Sequence, residues 1–377
     1  MFNNFFKNLK DTFKGFDYFL ASLTMLVAIV GIVMIYSATK SIGTSKVIVQ
    51  SAAVAVGFVA MLIIALYDYE QIGNWSVYIY AVSVLLLILV LIPGIGTGSN
   101  EGQWGARSWI RITSSFGVQP AEFVKIAFII TFSKHVQKAK ENINNFFTLL
   151  LLLAHAGLLI GLILLQPDAG SAMVFAFIAL FILFVAGLSY KYIISFVVMI
   201  AVSAPLAYFF LLKPYQQDRI KVFLNPESDP LNKGYNVIQS KIAVGSGQLF
   251  GKGYMQGTQN QMGYLPTKHT DFIYGTIAEE WGFIGAVAVL LCLIIIILRV
   301  IYISRTSRTD FGSYVCAGVA GMFIFHTFEN IGMCIGLMPV TGIPLPFFSY
   351  GGTAVLTYMI AIGLVISVSM RRKTLNF

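Results

Sequence analysis

The chain has 377 residues, a formal net charge of +9, only 11% charged residues and a mean hydropathy of +0.80. A composition this apolar excludes a water-soluble globular domain and indicates one polytopic membrane bundle, so counting domains from length does not apply. The positive charge does not indicate nucleic-acid binding, because the basic residues lie between apolar runs and form no stripe. Membrane topology accounts for them better.

The first sixteen residues place phenylalanines and a leucine at spacings of three and four, with lysines between them. This pattern predicts an amphipathic helix over residues 1–16 that lies at the membrane interface. Residues 17–377 are then predicted to form a single membrane domain.

Ten stretches are predicted to cross the membrane. One of them, from Pro120 to about Ser133, is short and carries Glu122 and Lys125. It is counted as a span because both termini then fall on the same side of the membrane. The lysine-rich segment 134–140 then also lies on that side. The other nine are longer apolar runs near 17–38, 46–67, 75–93, 145–165, 170–188, 191–212, 272–299, 312–337 and 350–370.

Lysine and arginine are divided unevenly between the two sides of these spans. Thirteen lie on the side of the termini, and the short loops opposite hold four, Lys40, Lys46, Arg107 and Arg111. Because cytoplasmic loops carry the excess of basic residues, both termini are predicted to be cytoplasmic.

A long loop over residues 213–270, between the seventh and eighth spans, is then external. It holds seven basic residues against three acidic ones. This charge favours an anionic partner such as a phospholipid headgroup, a phosphorylated lipid or an acidic protein, and a solvated loop facing the headgroups is the alternative. Within it, segment 234–250 groups apolar residues loosely at helical spacing, which predicts an interfacial helix.

Two other signals do not support a site. Segment 246–253 resembles a phosphate-binding loop but lacks its first glycine and its hydroxyl residue. The four histidines are scattered without metal-ligand spacing, which argues against a histidine metal site.

Ionisable residues within spans mark candidate functional positions, because charge is unfavourable in hydrocarbon. Glu122 and Lys125 stand three residues apart on one span, and they can equally form a structural ion pair. Asp168 follows Pro167 at the external start of another span, where a helix cap is the alternative interpretation.

Asp271 stands where the external loop meets the eighth span, behind two threonines, Thr267 and Thr270, that can cap a helix. One interpretation is a first-turn carboxylate favoured by the helix dipole. The other is a general base, since burial at a membrane edge makes a carboxylate a better proton acceptor. Glu279 and Glu280 would lie roughly 12–14 Å deeper along a helix, too far for a two-carboxylate glycosidase arrangement with Asp271.

Several motifs, in chain order, resemble those of the SEDS family (shape, elongation, division and sporulation), and the resemblance covers nearly the whole chain. Ser108 and Thr267 depart from the family pattern without touching Asp271. The segment before His269 is more similar to the elongation member than to the division member. The motifs are Gln119-Pro120-Ala121-Glu122 with Lys125, Gln166-Pro167-Asp168-Ala169-Gly170, the run 253–259, His269-Thr270-Asp271-Phe272-Ile273, Ala278-Glu279-Glu280, and the run 339–347 with Ser349-Tyr350-Gly351-Gly352.

The resemblance implies a peptidoglycan glycosyltransferase that polymerises lipid II on the outer face of a bacterial cytoplasmic membrane, for cell elongation and shape. It places the family's essential acid at Asp271, as the base that removes the proton from the 4-hydroxyl of the acceptor GlcNAc. Single attack would invert the anomeric centre, and cations would meet the charge on the leaving undecaprenyl pyrophosphate. The predicted substrate contacts are Lys125, Glu122, Arg219, Lys241, Arg107, Arg111, Asp168 and Ser349.

The resemblance also implies partners for this chemistry. A divalent cation, Mg or Mn, would share the charge on the leaving group, although the sequence identifies no ligand set for it. A class B penicillin-binding protein would supply the crosslinking transpeptidase, and membrane lipids would surround the bundle. Two alternatives remain open: a lipid II flippase, in which the buried charges line a path across the membrane, and a noncatalytic scaffold for the transpeptidase.

Overall fold

The computed structural model describes residues 15–40, 43–97, 108–111, 117–210, 214–230 and 234–372. Residues 1–14 of the predicted interfacial helix (1–16) lie outside the described residues, and so does Arg107. The helices are α1 (Tyr18–Thr39), α2 (Ser45–Leu66), α3 (Tyr69–Asn74), α4 (Ser76–Leu91), α5 (Pro120–Ala139), α6 (Phe146–Leu165), α7 (Ala169–Val185), α8 (Tyr190–Phe210), α9 (Pro214–Leu224), α10 (Tyr235–Ser246), α11 (Thr258–Gln261), α12 (Ile273–Thr306), α13 (Asp310–Ile335) and α14 (Gly352–Met370), with 3-10 turns at Lys140–Asn142 and Pro226–Ser228.

A helix lies at each of the ten stretches predicted to cross the membrane. The stretch that seemed short becomes the 20-residue helix α5. Among the described residues, six helices are long and apolar enough to cross a membrane, namely α1, α2, α6, α12, α13 and α14, and α4, α7 and part of α8 are shorter apolar helices. The chain is therefore a polytopic helical membrane protein.

The all-α prediction misses one small antiparallel sheet. It has the order β1-β2-β3, with β1 at Gly96–Thr97, β2 at Trp109–Arg111 and β3 at Gly117–Val118. Strands of two and three residues are too short to show the alternation by which a strand is recognised in a sequence.

The core of the bundle is formed by α13 and α14, whose residues are mostly buried. Helix α14 pairs along α2, and α13 packs against α5, α7 and α12. Small residues permit this close approach: a Cβ on Gly318 would lie 2.9 Å from side-chain atoms of both Ile129 and Ile182. In contrast, most described side chains of α8 are exposed.

Helices α1 and α12 run antiparallel, and polar contacts join both of their ends. Asp17 caps α1 by accepting a hydrogen bond from Leu20 N at 3.0 Å and another from Arg299 Nε at 2.8 Å. At the other end of α1, Ser37 Oγ donates to the Glu280 carboxylate at 2.6 Å.

Helix α12 is interrupted at Gly282, where φ is +67° and ψ is −166°. The carbonyls of Glu279 and Glu280 accept backbone hydrogen bonds from segment 248–253, and the two N–H groups after the break donate back to it. The predicted uninterrupted span over 272–299 is therefore wrong at Gly282. Glu279 and Glu280 belong to a short first arm, and the arm after the break is by itself long enough to cross a membrane.

The segment 234–250, predicted to form an interfacial helix, is also packed against the bundle. It forms α10, which packs against α12 and α13. Its buried face consists of Val237, Ser240 and Ala243, and the Ser240 hydroxyl donates to the Cys334 carbonyl at 2.8 Å. Loop 213–270 is thereby docked, through α10, onto the helices that carry the candidate site.

Candidate active site

Asp271 is partly buried and lies in a turn, two residues before the first residue of α12. The residue at the N-cap of α12 is Phe272, with no side-chain cap hydrogen bond, and there is no acidic residue in the first turn. Thr270 instead donates its hydroxyl to the Thr267 carbonyl at 3.2 Å. Neither threonine is the N-cap of α12, and Asp271 stands directly before that N-cap rather than in the first turn.

Three elements position Asp271: its own turn, α13, and residues 339–351, here called the closing loop. Asn330 of α13 donates from Nδ2 to the Asp271 carbonyl and to the Ile343 carbonyl, both at 2.8 Å. The carboxylate faces the backbone of Gly342, where a Cβ would lie 3.8 Å from Asp271 Oδ2. Gly342 has a φ of +77°, which favours glycine.

Ser349 of the closing loop lies buried beside this turn. Its hydroxyl donates to the Thr270 carbonyl at 2.6 Å and accepts a hydrogen bond from Leu345 N at 2.8 Å. In this conformation the side chain therefore ties the closing loop to the turn, and its predicted contact with substrate stays a prediction.

Glu122 and Lys125 form the expected ion pair, with Lys125 Nζ 2.7 Å from Glu122 Oε1, and both side chains are almost completely buried. Lys125 Nζ also lies 3.2 Å from His326 Nε2. Since an ammonium group only donates, Nε2 accepts and the ring proton of His326 is on Nδ1. That nitrogen lies 3.1 Å from the Pro344 carbonyl and 2.9 Å from the Tyr358 hydroxyl. The buried cation is thereby linked to the closing loop.

Asp168 caps α7, as one interpretation of its position predicted. It accepts hydrogen bonds from Ser171 N at 2.9 Å and Ser171 Oγ at 2.8 Å, and from Gln119 Nε2 at 3.2 Å. The adjacent Gly170 packs against the closing loop, because a Cβ there would lie 2.8 Å from the Thr341 carbonyl. Asp168 thus joins the starts of α5 and α7 next to the loop that faces the Asp271 carboxylate.

The predicted external cations occupy three different places. Lys241 is exposed, and its side chain crosses Gly336 at the C-terminal end of α13, where the helix dipole favours a cation. Arg219 lines a recess together with Val340 of the closing loop. Arg111 is exposed at the end of β2.

Glu279 is fully buried and is bound by residues of loop 213–270. It accepts hydrogen bonds from Gln259 N at 2.8 Å and Asn260 N at 3.0 Å, and Lys252 Nζ lies 2.9 Å from Oε1. Thr258 Oγ1 donates to the same oxygen at 3.2 Å. The family-like run 253–259 is therefore held against α12 by a buried carboxylate.

Lys268 and Glu280 complete this cluster next to the turn of Asp271. Asn260 Nδ2 donates to Glu280 Oε1 at 2.7 Å, and the Lys268 ammonium donates to the Asn260 carbonyl. Burial lowers the pKa of Lys268, and the nearby charges of Glu280 and Glu279 partly oppose that effect. Both glutamates thus act within the protein to fix the segment that precedes Asp271.

Comparison with known proteins identifies the family of this chain. The sequence matches the cell cycle protein family FtsW/RodA/SpoVE over residues 18–374. The chain belongs to the SEDS family. It is 36% identical to the peptidoglycan glycosyltransferase MrdB of Escherichia coli K12 over 325 residues, covering 86% of this chain and 85% of the relative.

This SEDS protein is also 35% identical to the probable peptidoglycan glycosyltransferase FtsW of Geobacter metallireducens over 382 residues, covering 98% of each. Its fold resembles that of a chain in a solved structure described as a peptidoglycan synthase complex that coordinates polymerization and crosslinking. That likeness has a TM-score of 0.79 at 29% identity, and it covers 94% of this chain and 97% of the other.

Sequence reasoning missed two residues of the SEDS site, Glu329 and Asn330. Glu329 is buried and accepts a hydrogen bond from Thr341 Oγ1 of the closing loop at 2.8 Å. Glu329 could have been found from the sequence, because an ionisable residue within an apolar span marks a candidate functional position. Glu329 meets that criterion as well as Glu122 does.

The expected divalent cation does not fit the donors of this SEDS protein. Among the described residues, no three His, Cys, Asp or Glu side chains converge to hold a metal ion. Two histidines that are 20 residues apart in sequence do meet, with His135 Nδ1 and His155 Nδ1 3.1 Å apart, but they form a pair between α5 and α6. The mechanism below is therefore derived from protein groups.

Proposed function

We propose that this SEDS protein is an inverting glycosyltransferase that polymerises lipid II, with Asp271 as the general base. As a RodA/MrdB-like member of its family, it is a peptidoglycan glycosyltransferase of cell-wall synthesis. The observation that carries the proposed mechanism is the position of Asp271, which is partly buried. Asn330 binds its backbone carbonyl, and its carboxylate oxygen faces Gly342.

The reaction begins with the 4-hydroxyl of the acceptor GlcNAc beside Asp271. The carboxylate takes the proton as the hydroxyl oxygen attacks the anomeric carbon of the donor sugar. Attack from the face opposite the leaving group inverts the anomeric centre and gives a β-1,4 linkage from an α-linked donor. Glu279 and Glu280 accept hydrogen bonds from the protein itself, which supports one carboxylate from this segment acting in the reaction.

The leaving group is undecaprenyl pyrophosphate, whose negative charge grows as the bond breaks. Lys241 and Arg219 are the cations proposed to stabilise this negative charge. Lys241 crosses the end of α13, and Arg219 lines a recess beside the closing loop. The charge of Lys125 is partly compensated by Glu122, so we propose that it contributes through the closing loop and His326.

We propose that all ten stretches span the cytoplasmic membrane of a bacterium, with both termini in the cytoplasm. The end of α1 at Ser37, the cluster around Glu280 and the turn of Asp271 then lie together on the outer face. The pair of Asp17 and Arg299 lies on the cytoplasmic side. This places loop 213–270 outside the cell, where lipid-linked substrate would reach it. The proposed cellular role is in elongation and shape.

The proposed partner is a class B penicillin-binding protein that carries out crosslinking. Support comes from the likeness to a chain of a peptidoglycan synthase complex.

The test is polymerisation of purified lipid II by the protein with its transpeptidase, followed on gels. Asp271→Asn keeps the size of the side chain but removes the base, and we expect turnover to fall by about 100-fold or more. Glu227→Gln, an exposed carboxylate of the same external loop, is the matched control and should retain activity. Wild-type turnover in Asp271→Asn would show that the base assignment is wrong, and α-linked product would show that the reaction is not inverting.

A further inference from the structure

Helix α2 presents two polar side chains, four residues apart, to the site. Gln50 is completely buried, and it donates from Nε2 to the Ser349 carbonyl at 3.3 Å while its Oε1 accepts from Gly351 N at 3.1 Å. Lys46 lies one turn earlier on the same face of α2. Its Nζ is 2.6 Å from His269 Nε2 and 5.6 Å from the centre of the Tyr350 ring.

The contact with Lys46 defines the protonation state of His269. An ammonium group has three donors and no acceptor, so Nε2 of His269 offers its lone pair and the imidazole is neutral. His269 is buried, two residues before Asp271, and its carbonyl accepts a hydrogen bond from Tyr350 N at 2.7 Å. The ring and the backbone of His269 are thus both held next to the proposed base.

We infer that Lys46 is a positioning residue for Asp271, acting through a neutral His269. The inference rests on the proposed role of Asp271 as the base. Lys46 and Gln50 hold the turn and the closing loop from one helix, so the carboxylate keeps its place against Gly342. Neither side chain needs to touch the substrate for this purpose.

The experiment measures kcat and KM for lipid II polymerisation in the complex with the transpeptidase. We expect Lys46→Met to lower kcat about 10- to 100-fold with KM nearly unchanged, because displacement of a catalytic group acts on the chemical step. Lys46→Arg keeps a donor cation and should restore kcat. Lys40→Met removes an exposed cation from the end of α1 and should have no effect.

A second variant separates positioning from general stability. His269→Gln can still accept from Lys46 through its amide oxygen and should keep most of the kcat, whereas His269→Leu cannot accept and should lower kcat about as far as Lys46→Met does. In the His269→Leu background Lys46→Met should cause little further loss, so the two effects on kcat should be non-additive. A wild-type kcat in Lys46→Met, or fully additive effects, would overturn the inference.

The two proposals fail in distinguishable ways. If Asp271→Asn retains wild-type turnover, the base assignment is wrong whatever the Lys46 variants do. If Asp271→Asn is inactive and Lys46→Met keeps the wild-type kcat, only the positioning role is wrong.

Discussion

Replacement of Glu279 by glutamine should destabilise the protein more than loss of its ion-pair partner. Glu279 is fully buried, and its two oxygens accept hydrogen bonds from Gln259 N, Asn260 N, Thr258 Oγ1 and Lys252 Nζ. In Glu279→Gln the charge disappears and one oxygen becomes an NH2 group. At least one buried backbone N–H then faces another donor.

The structure sets the size of this effect. A hydrogen bond to a charged group contributes about 1.5–3 kcal/mol. In Glu279→Gln the backbone N–H groups of Gln259 and Asn260 either lose their charged acceptor or keep only a neutral, weaker one. We therefore expect Glu279→Gln to lower the free energy of unfolding by about 3–5 kcal/mol. Lys252 is 28% exposed at its side chain, so Lys252→Met should lower it by only about 1 kcal/mol, because solvent screens the pair and the other donors remain.

The free energy of unfolding can be measured by titrating the detergent-solubilised protein with SDS. Polymerisation of lipid II by the same samples should fall in Glu279→Gln, because the segment from Gly257 to Asp271 loses its attachment to α12. If Lys252→Met lowers the free energy of unfolding as much as Glu279→Gln does, or more, the reasoning is refuted. The ion pair would then contribute more stability than the hydrogen bonds from the backbone N–H groups.

Three further predictions concern single groups. Gly282→Ala should destabilise the protein and lower activity, because an added Cβ would overlap the backbone nitrogen of Gly251; unchanged thermal stability would contradict this. Burial lowers the pKa of Lys268 in the folded protein from its ordinary value of 10.5. At a pH just below 10.5 the unfolded protein therefore binds more protons than the folded protein. The free energy of unfolding should then rise with pH in that range. Lys268→Met should abolish this rise, and a wild-type stability that falls with pH in that window would contradict it. Lys125→Ala should lower the free energy of unfolding by about 3–5 kcal/mol, because it leaves Glu122 buried without its cation. The double variant Lys125→Ala, Glu122→Ala should recover part of that loss. No recovery in the double variant would show that the pair is not the cause.

Contacts that depend on spacing along one segment could be predicted from the sequence. Glu122 and Lys125 are three residues apart, and Asp168 stands three residues before Ser171, so helix geometry brings each pair together whatever the rest of the chain does. The break in α12 was missed for the opposite reason. Gly282 is tolerated in a helical pattern, and its interruption depends on hydrogen bonds from the distant segment 248–253.

The candidate base could be placed from the sequence because Asp271 stands at a visible change from polar loop to apolar span. The residues that hold it could not be placed. Asn330 is 59 positions away from Asp271, and Lys46 is 223 positions away from His269. Such contacts depend on which helices are neighbours, which local spacing does not encode.

The sequence by itself therefore determined the helices, their order and the family, because a membrane span is recognised by the length of its apolar run. The tertiary structure decided which faces meet. In α1, Leu26 is 55% exposed and Val27 is 2% exposed, although both are apolar. Since lipid accepts apolar side chains as readily as the protein core does, hydropathy cannot distinguish the two faces, and packing alone assembled the site around Asp271.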